Sequence, residues 1–388
     1  MKPLLKKLIG EATRLTRAGD LANATAAIQR ALDGSTPITG SRAQRTAAPP
    51  GGVAVLDGLV REVRPPARAP RPFVPGVEPR PGGSFEESSY TGRTGTRAYK
   101  LFVPSGFEGR ELPLIVMLHG CTQDPDDFAA GTRMNEVAQE RGLLVLYPAQ
   151  APRSNHSKCW NWFVPADQRR GAGEPELIAS MTRHIVATHP VDPLRVYVAG
   201  LSAGGAMADI LGREYPDLYA AVGIHSGLAQ GAARDVASAF AAMQHGPGAR
   251  TSAFRPESPF ENAAPDRNRA SGAAPAIVFH GDRDSTVHPS NGEQVVGAAL
   301  GSLPDESGQQ IHSTSARSST AGREVTHTVH RMRNAAPDDP SLAEHWLVHG
   351  TGHAWSGGSA AGSYTDVRGP DASREMVRFF LEHPLRRS

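Results

Sequence analysis

Four short stretches of this sequence carry residue types that could do nucleophilic chemistry. The first is Gly200-Leu201-Ser202-Ala203-Gly204, which follows the apolar run 196–199 and leads into Gly205-Ala206-Met207. It fits G-x-S-x-G, a strand-to-helix turn in which a serine sits on a strained backbone. Side chains at the glycine positions would collide with the neighbouring strand and helix. The pattern is weak by itself, because a plain Gly-Ser turn also satisfies it. The second stretch, Leu118-His119-Gly120-Cys121, ends another apolar run. Where such a serine turn acts in hydrolysis, the N–H after the nucleophile joins an N–H from the loop after an earlier strand to hold the oxyanion. That assigns the backbone amides of Ala203 and Cys121. The His119 side chain reads as a satisfied buried imidazole.

The third and fourth stretches supply an acid and a base. In Phe279-His280-Gly281-Asp282-Arg283-Asp284 an apolar strand ends in a loop with two carboxylates. Chain order and the offset from Gly281 favour Asp284 over Asp282 as the group that orients an imidazole and stabilises its protonated form. The imidazole is His353, in His349-Gly350-Thr351-Gly352-His353-Ala354-Trp355. The chain has 15 histidines, so a loop histidine alone proves nothing. The order Ser202, Asp284, His353 is the α/β-hydrolase order, however, and differs from that of chymotrypsin or subtilisin. The chemistry these residues would perform is two-step acyl transfer through an acyl-enzyme, with His353 as base and then acid. A neutral imidazole is the working form, so the rate should rise with pH through the range in which imidazole loses its proton. No cofactor and no metal are expected: the sequence has no His-Glu-x-x-His, and His327 and His330 would point to opposite faces of a strand.

Such groups must be brought together by a scaffold. From residue 97 onward short apolar runs alternate with helical periodicity. Strands are expected at 98–103, 113–118, 143–147, 195–199, 220–225, 276–280 and 345–348, and helices at 128–141, 174–188, 203–214, 291–300 and 373–382. Several strands are near-continuous in Val, Ile and Leu, as parallel strands covered on both faces are. The fold class is therefore α/β: a mostly parallel central sheet with helices on both faces, whose chemistry lies at the carboxyl ends of the strands. The catalytic domain is expected over 97–388, with polar insertions at about 230–274 and 302–323.

Residues 1–34 read as two amphipathic helices, with Leu5, Leu8, Ile9, Ala12 and Leu15 at helical spacing and Leu21, Ala24, Ile28 and Leu32 repeating it after Gly19-Asp20. They suit a helical cap, an oligomerisation element or an anchor to a hydrophobic surface such as a polymer granule. Glu11, Arg14 and Arg17 interrupt any signal-peptide core, so the expected address is cytoplasmic. Residues 35–96 read as a Pro/Gly-rich linker, with dense proline favouring extended chain.

Composition agrees with this reading. In 388 residues, Lys+Arg 41 nearly balance Asp+Glu 39, a net charge of +2 that removes the main electrostatic argument for a nucleic-acid partner. No run approaches the roughly 18 apolar residues of a membrane span. Two cysteines exclude a disulfide framework or a Cys-rich zinc module. The oligomeric state is not legible.

Taken together, LIVMLHGCTQDPDDFA, YPAQ with KCWNWF, VYVAGLSAGGAMA, IVFHGDRDSTVHPSN and GTGHAWSGG resemble the polyhydroxybutyrate-depolymerase-type esterases, relatives of feruloyl and acetylxylan esterases. The resemblance covers roughly 97–384. It implies Ser202 as nucleophile, Asp284 and His353 as its partners, and Cys121 and Ala203 as oxyanion donors. It implies a short-chain hydroxyalkanoate polyester or oligoester as substrate, short acyl esters as surrogates, and a feruloyl or acetylxylan ester as the alternative. A non-catalytic granule-binding protein that kept the fold is a reading from another class. Many relatives that degrade external polyester carry a signal peptide and appended binding domains; this chain resembles the intracellular members instead. In relatives a pair such as Cys121 and Cys159 can be disulfide-bonded, and two free buried thiols are the other reading. Trp160, Trp162 and Trp355 read as lining of an acyl or polymer groove, with core packing as the alternative.

Overall fold

The computed structural model describes residues 82–246, 274–301, 311–336 and 339–386. The expected N-terminal helices, and the linker up to residue 81, lie outside the described residues. Ten strands form one sheet: β1 (Ser84–Gly92), β2 (Gly95–Val103), β3 (Leu112–Leu118), β4 (Leu144–Pro148), β5 (Val191–Leu201), β6 (Ala221–His225), β7 (Ala276–Gly281), β8 (Ile311–Thr320), β9 (Arg323–Met332) and β10 (Ala343–Val348). Their order is β1-β2-β4-β3-β5-β6-β7-β10-β9-β8. The six central strands from β4 to β10 run parallel, and the pairs outside them are antiparallel.

The seven helices are α1 (Pro125–Thr132), α2 (Met134–Arg141), α3 (Gly173–Thr188), α4 (Ala203–Glu214), α5 (Val236–His245), α6 (Ser290–Leu300) and α7 (Ala372–Leu381) among the described residues. Strand alternation sends Leu114, Val116 and Leu118 of β3 into a core with α3, α4, α5 and α6. Ile115 and Met117 face the opposite core, built with α1, α2 and α7. A parallel strand covered on both faces must be apolar at every position, and all seven residues of β3 are buried. Two short strands, β11 (Trp355–Ser356) and β12 (Thr365–Asp366), pair with each other beyond β10. No helix among the described residues is long and apolar enough to cross a membrane.

The structure corrects the expected organisation in four places. The helix expected at 128–141 is two, because Arg133 takes a left-handed conformation (φ 57°) that ends α1 and opens α2. Residues 84–92, expected as linker, form β1 at one sheet edge. Within the expected insertion 230–274, α5 is a regular helix whose Asp235 and Ser238 form a capping box. Within 302–323, residues 311–320 form β8 at the other edge, exposed along its whole length. His327 and His330 sit on β9 and bind to different partners, Glu344 at 2.9 Å and Ser313 at 2.8 Å.

The join between β5 and α4 is the tightest point of the sheet. A Cβ on Gly204 would lie 2.0 Å from the carbonyl oxygen of Leu118, and one on Gly200 would lie 2.3 Å from the Gly204 carbonyl carbon. Only glycine lets α4 begin against the end of β3. Gly204→Ala should therefore cost about 1–3 kcal/mol through forced backbone shifts. A urea-unfolding midpoint equal to that of the wild type would contradict this close approach.

Candidate active site

Ser202 occupies the turn between β5 and α4 with φ 57° and ψ −120°, a strained conformation for a residue with a Cβ. Backbone contacts hold it there: its N–H donates to the His225 carbonyl at 2.9 Å, and its carbonyl accepts from the Ala206 N–H at 3.0 Å. His225, at the end of β6, is itself fixed. Its Nε2 accepts the Ser356 N–H at 3.0 Å, and its ring lies between those of Phe279 and Trp355. Burial lowers its pKa to about 3, so this imidazole is a neutral structural group. Nothing in the sequence singled it out.

The loop after β3 lies directly against the serine. A Cβ on Gly120 would be 3.6 Å from Ser202 Cβ. His119 is wholly buried: its Nδ1–H donates to the Gly120 carbonyl at 2.8 Å, and its Nε2 accepts the Gln150 N–H at 3.1 Å. Burial lowers its pKa to about 4, so it too is neutral. The N–H groups of Cys121 and Ala203 donate to no other protein group among the described residues. They are available to an incoming oxygen.

Cys121 is joined to Cys159 by a disulfide. The bond ties the loop after β3 to the segment bearing Trp162, and the Thr122 N–H adds a 2.6 Å bond to the Ser157 carbonyl. That segment is anchored from below by Glu174, in the first turn of α3. Glu174 accepts from the Asn161 N–H at 2.8 Å, from the Asn161 side chain at 3.2 Å and from Gln150, and it pairs with Arg97 at 3.3 Å. Burial, reinforced by nearby Asp167, raises its pKa to about 7.

The carboxylates after β7 separate cleanly. Asp284 accepts from His353 Nδ1 at 2.7 Å, and its other oxygen takes the N–H groups of Thr286 (2.9 Å) and Val287 (2.8 Å). His280 Nε2 stands 3.5 Å from it. Burial pushes the Asp284 pKa upward, but the imidazoles of His280 and His353 more than offset this and hold it far below the usual carboxylate range. Asp282 is engaged elsewhere, with His349 Nδ1 at 2.8 Å and the Gly350 N–H at 2.7 Å. Gly281 makes this layout feasible, because a Cβ there would lie 2.3 Å from the Thr351 carbonyl on the loop leading to His353.

Ser202 and His353 line one cavity of about 170 Å³, together with Cys121 and Ala203. Of the three tryptophans expected to line a groove, only Trp162 does. Trp160 is core, its Nε1–H donating to the His119 carbonyl at 3.1 Å, and Trp355 is core, donating to Ser373 at 3.2 Å. Phe163, beside Trp162, adds to the apolar wall, and part of it comes from residues that carried no motif: Leu228, and Phe240 and Met243 of α5.

The Esterase PHB depolymerase family matches residues 97–327, more than half of the chain and both the serine and first-carboxylate stretches. The chain belongs to that family. It is similar to the poly(3-hydroxyalkanoate) depolymerase C of Paucimonas lemoignei, with 34% identity over 252 residues covering 65% of this chain and 56% of that protein. It is also similar to feruloyl esterase B of Neurospora crassa, with 32% identity over 178 residues covering 45% and 60%. The chain thus spans little more than half the length of these relatives. The acetyl xylan esterase from Aspergillus awamori shares the fold, with a TM-score of 0.54 at 18% identity over 77% of this chain and 100% of that one. The fold is that of the α/β hydrolases.

Glu174 allows a test of the anchoring network. With a folded pKa of about 7 against an ordinary 4.5, it holds a proton in the folded protein that the unfolded chain has released. Folding then takes up a proton between those values, so stability falls as pH rises through that window. Denaturant unfolding of wild type and Glu174→Gln from pH 4 to 8 should show the wild type losing stability relative to the variant as pH rises. Parallel profiles would count against the network.

Proposed function

We propose that this chain is a serine esterase that cleaves the ester bonds of poly- or oligo(3-hydroxybutyrate) and of short-chain acyl esters. The observation that carries the proposal is the 2.7 Å bond from His353 to Asp284 at a cavity also lined by Ser202. In this reading His353 Nε2 takes the Ser202 proton as Oγ attacks the ester carbonyl, and the Cys121 and Ala203 amides receive the negative oxygen. The imidazolium is stabilised by the Asp284 carboxylate and then protonates the leaving alcohol. Water attacks the acyl-enzyme by the same route and releases the acid. No hydrogen bond joins Ser202 Oγ to the imidazole in the structure, so in this reading the two groups close up as the reaction begins.

A short acyl group is supported by the size of the cavity and by its apolar wall at Trp162, Leu228, Phe240 and Met243. A carbohydrate ester is the second reading, favoured by the feruloyl esterase similarity. Release of 3-hydroxybutyrate from amorphous polymer favours the first, and turnover of sugar esters alone favours the second. We further propose a granule-surface role for residues 1–34. Deleting 1–34 should abolish granule association while sparing soluble-ester activity.

Residue-level tests are sharper. Ser202→Ala should lower kcat at least about 10³-fold, and Asp284→Asn by about 10³–10⁴-fold. Asp282→Asn, which breaks only the His349 pair, should stay within about twofold of wild type. Equal losses from the two aspartate variants, measured on a short acyl ester, would remove the proposed assignment of Asp284.

A further inference from the structure

Tyr364 has an unusual combination of properties. Its backbone is left-handed, with φ 52°, although it carries a bulky side chain. The residue is 45% exposed, yet it lines the cavity that holds Ser202 and His353. The backbone is fixed from behind: the Tyr364 carbonyl accepts the N–H of buried Trp355 at 2.7 Å, and the neighbouring Ser363 N–H donates to Asp127 at 2.8 Å. The side chain reaches the loop after β3. Thr122 Oγ1 spends its proton on the Cys121 carbonyl at 2.6 Å, so the Tyr364 hydroxyl is the donor in its 3.3 Å contact with Thr122. Thr122 is also left-handed, with φ 67°. Strain maintained by so many contacts, on a half-exposed residue at a cavity, points to a use for the ring rather than to packing.

The proposed reaction says which part of a substrate would meet it. His353 must protonate the departing alkoxide, so whatever is attached to the alcohol lies beside His353. The Tyr364 ring stands edge-on to that imidazole, with centroids 6.4 Å apart. In that reading the wall at Phe240 and Met243 is left to the acyl side. The ring thus stands beside the imidazole while the residue stays half-exposed, a position suited to guide a long chain out of the site.

We propose that Tyr364 is a specificity-determining residue whose ring is the platform for the leaving alcohol, selecting esters with an extended apolar alcohol portion, such as the next unit of a polyester. This rests on the serine-esterase reading above. Two butanoate esters test it, ethyl butanoate and the butanoyl ester of ethyl 3-hydroxybutyrate, with kcat and KM measured for each. Tyr364→Asn removes the ring while tolerating the left-handed backbone, and Tyr364→Gly repeats the deletion on the residue best suited to it. Tyr364→Phe keeps the ring and loses the Thr122 bond. The preference for the longer ester, as a ratio of kcat/KM values, should fall about 10-fold in the Asn and Gly variants, chiefly through KM. It should stay within about twofold in Tyr364→Phe. Ser202→Ala is assayed beside them. An unchanged ratio in either folded ring-deletion variant, with turnover still dependent on Ser202, overturns the role of Tyr364 and leaves the esterase reading intact. Turnover that survives Ser202→Ala overturns both.

Discussion

The approach of α4 to the end of β3 is the constraint on which the rest of the site depends. A helix can start there only if no side chain stands between its first turn and the Leu118 and His119 carbonyls, or between that turn and the end of β5, and Gly204 and Gly200 satisfy these two conditions. The price is the strained backbone of Ser202, held by the His225 carbonyl on one side and the first turn of α4 on the other. The close approach also leaves the Ala203 N–H at the start of a helix, where it has no intrahelical partner, and brings the loop carrying Cys121 against the serine. These steric conditions thus set the serine's exposure and the position of both amides.

Around that point neutral buried imidazoles do structural work that charged groups could not. His119 and His225 each satisfy one ring nitrogen as donor and one as acceptor, and burial keeps both uncharged. Asp284 is the opposite case. Its three hydrogen-bond donors, with His280 Nε2 close by, let a carboxylate remain ionised where burial alone would protonate it. The cavity therefore combines an ionised carboxylate and its imidazole partner with a largely apolar wall.

What could be read from the sequence follows from where the information sits. The central strands announce themselves because burial on both faces forbids polar residues, as in LPLIVML of β3. The turn residues of the site are legible because sterics limit them to glycine. Edge strands are written differently: β1 and β8 are stabilised by pairing on one side and face water, so SFEESSYTG and IHSTSARSST show no apolar pattern. Helix α5 hides in an Ala-rich stretch whose signal is a local cap. Trp160 and Trp355 read equally as groove or core because bulk and aromatic character suit both, and only the tertiary contacts of each indole N–H separate them. Tyr364 and Met243 have no motif, since their place in the cavity is set by loops and a helix far from them in sequence.

Helix α5 stands outside the sheet order and meets the rest of the protein through few polar ties, among them the Met243 carbonyl accepting from the His288 N–H at 2.7 Å and the Ala242 carbonyl accepting from Asn291 at 2.9 Å. It nonetheless furnishes part of the cavity wall. The vessel and the apparatus that operates within it are thus separately encoded. Exchanging this one helical cassette between homologues offers a way to re-cut the receptacle while Ser202, Asp284 and His353 stay where the sheet holds them.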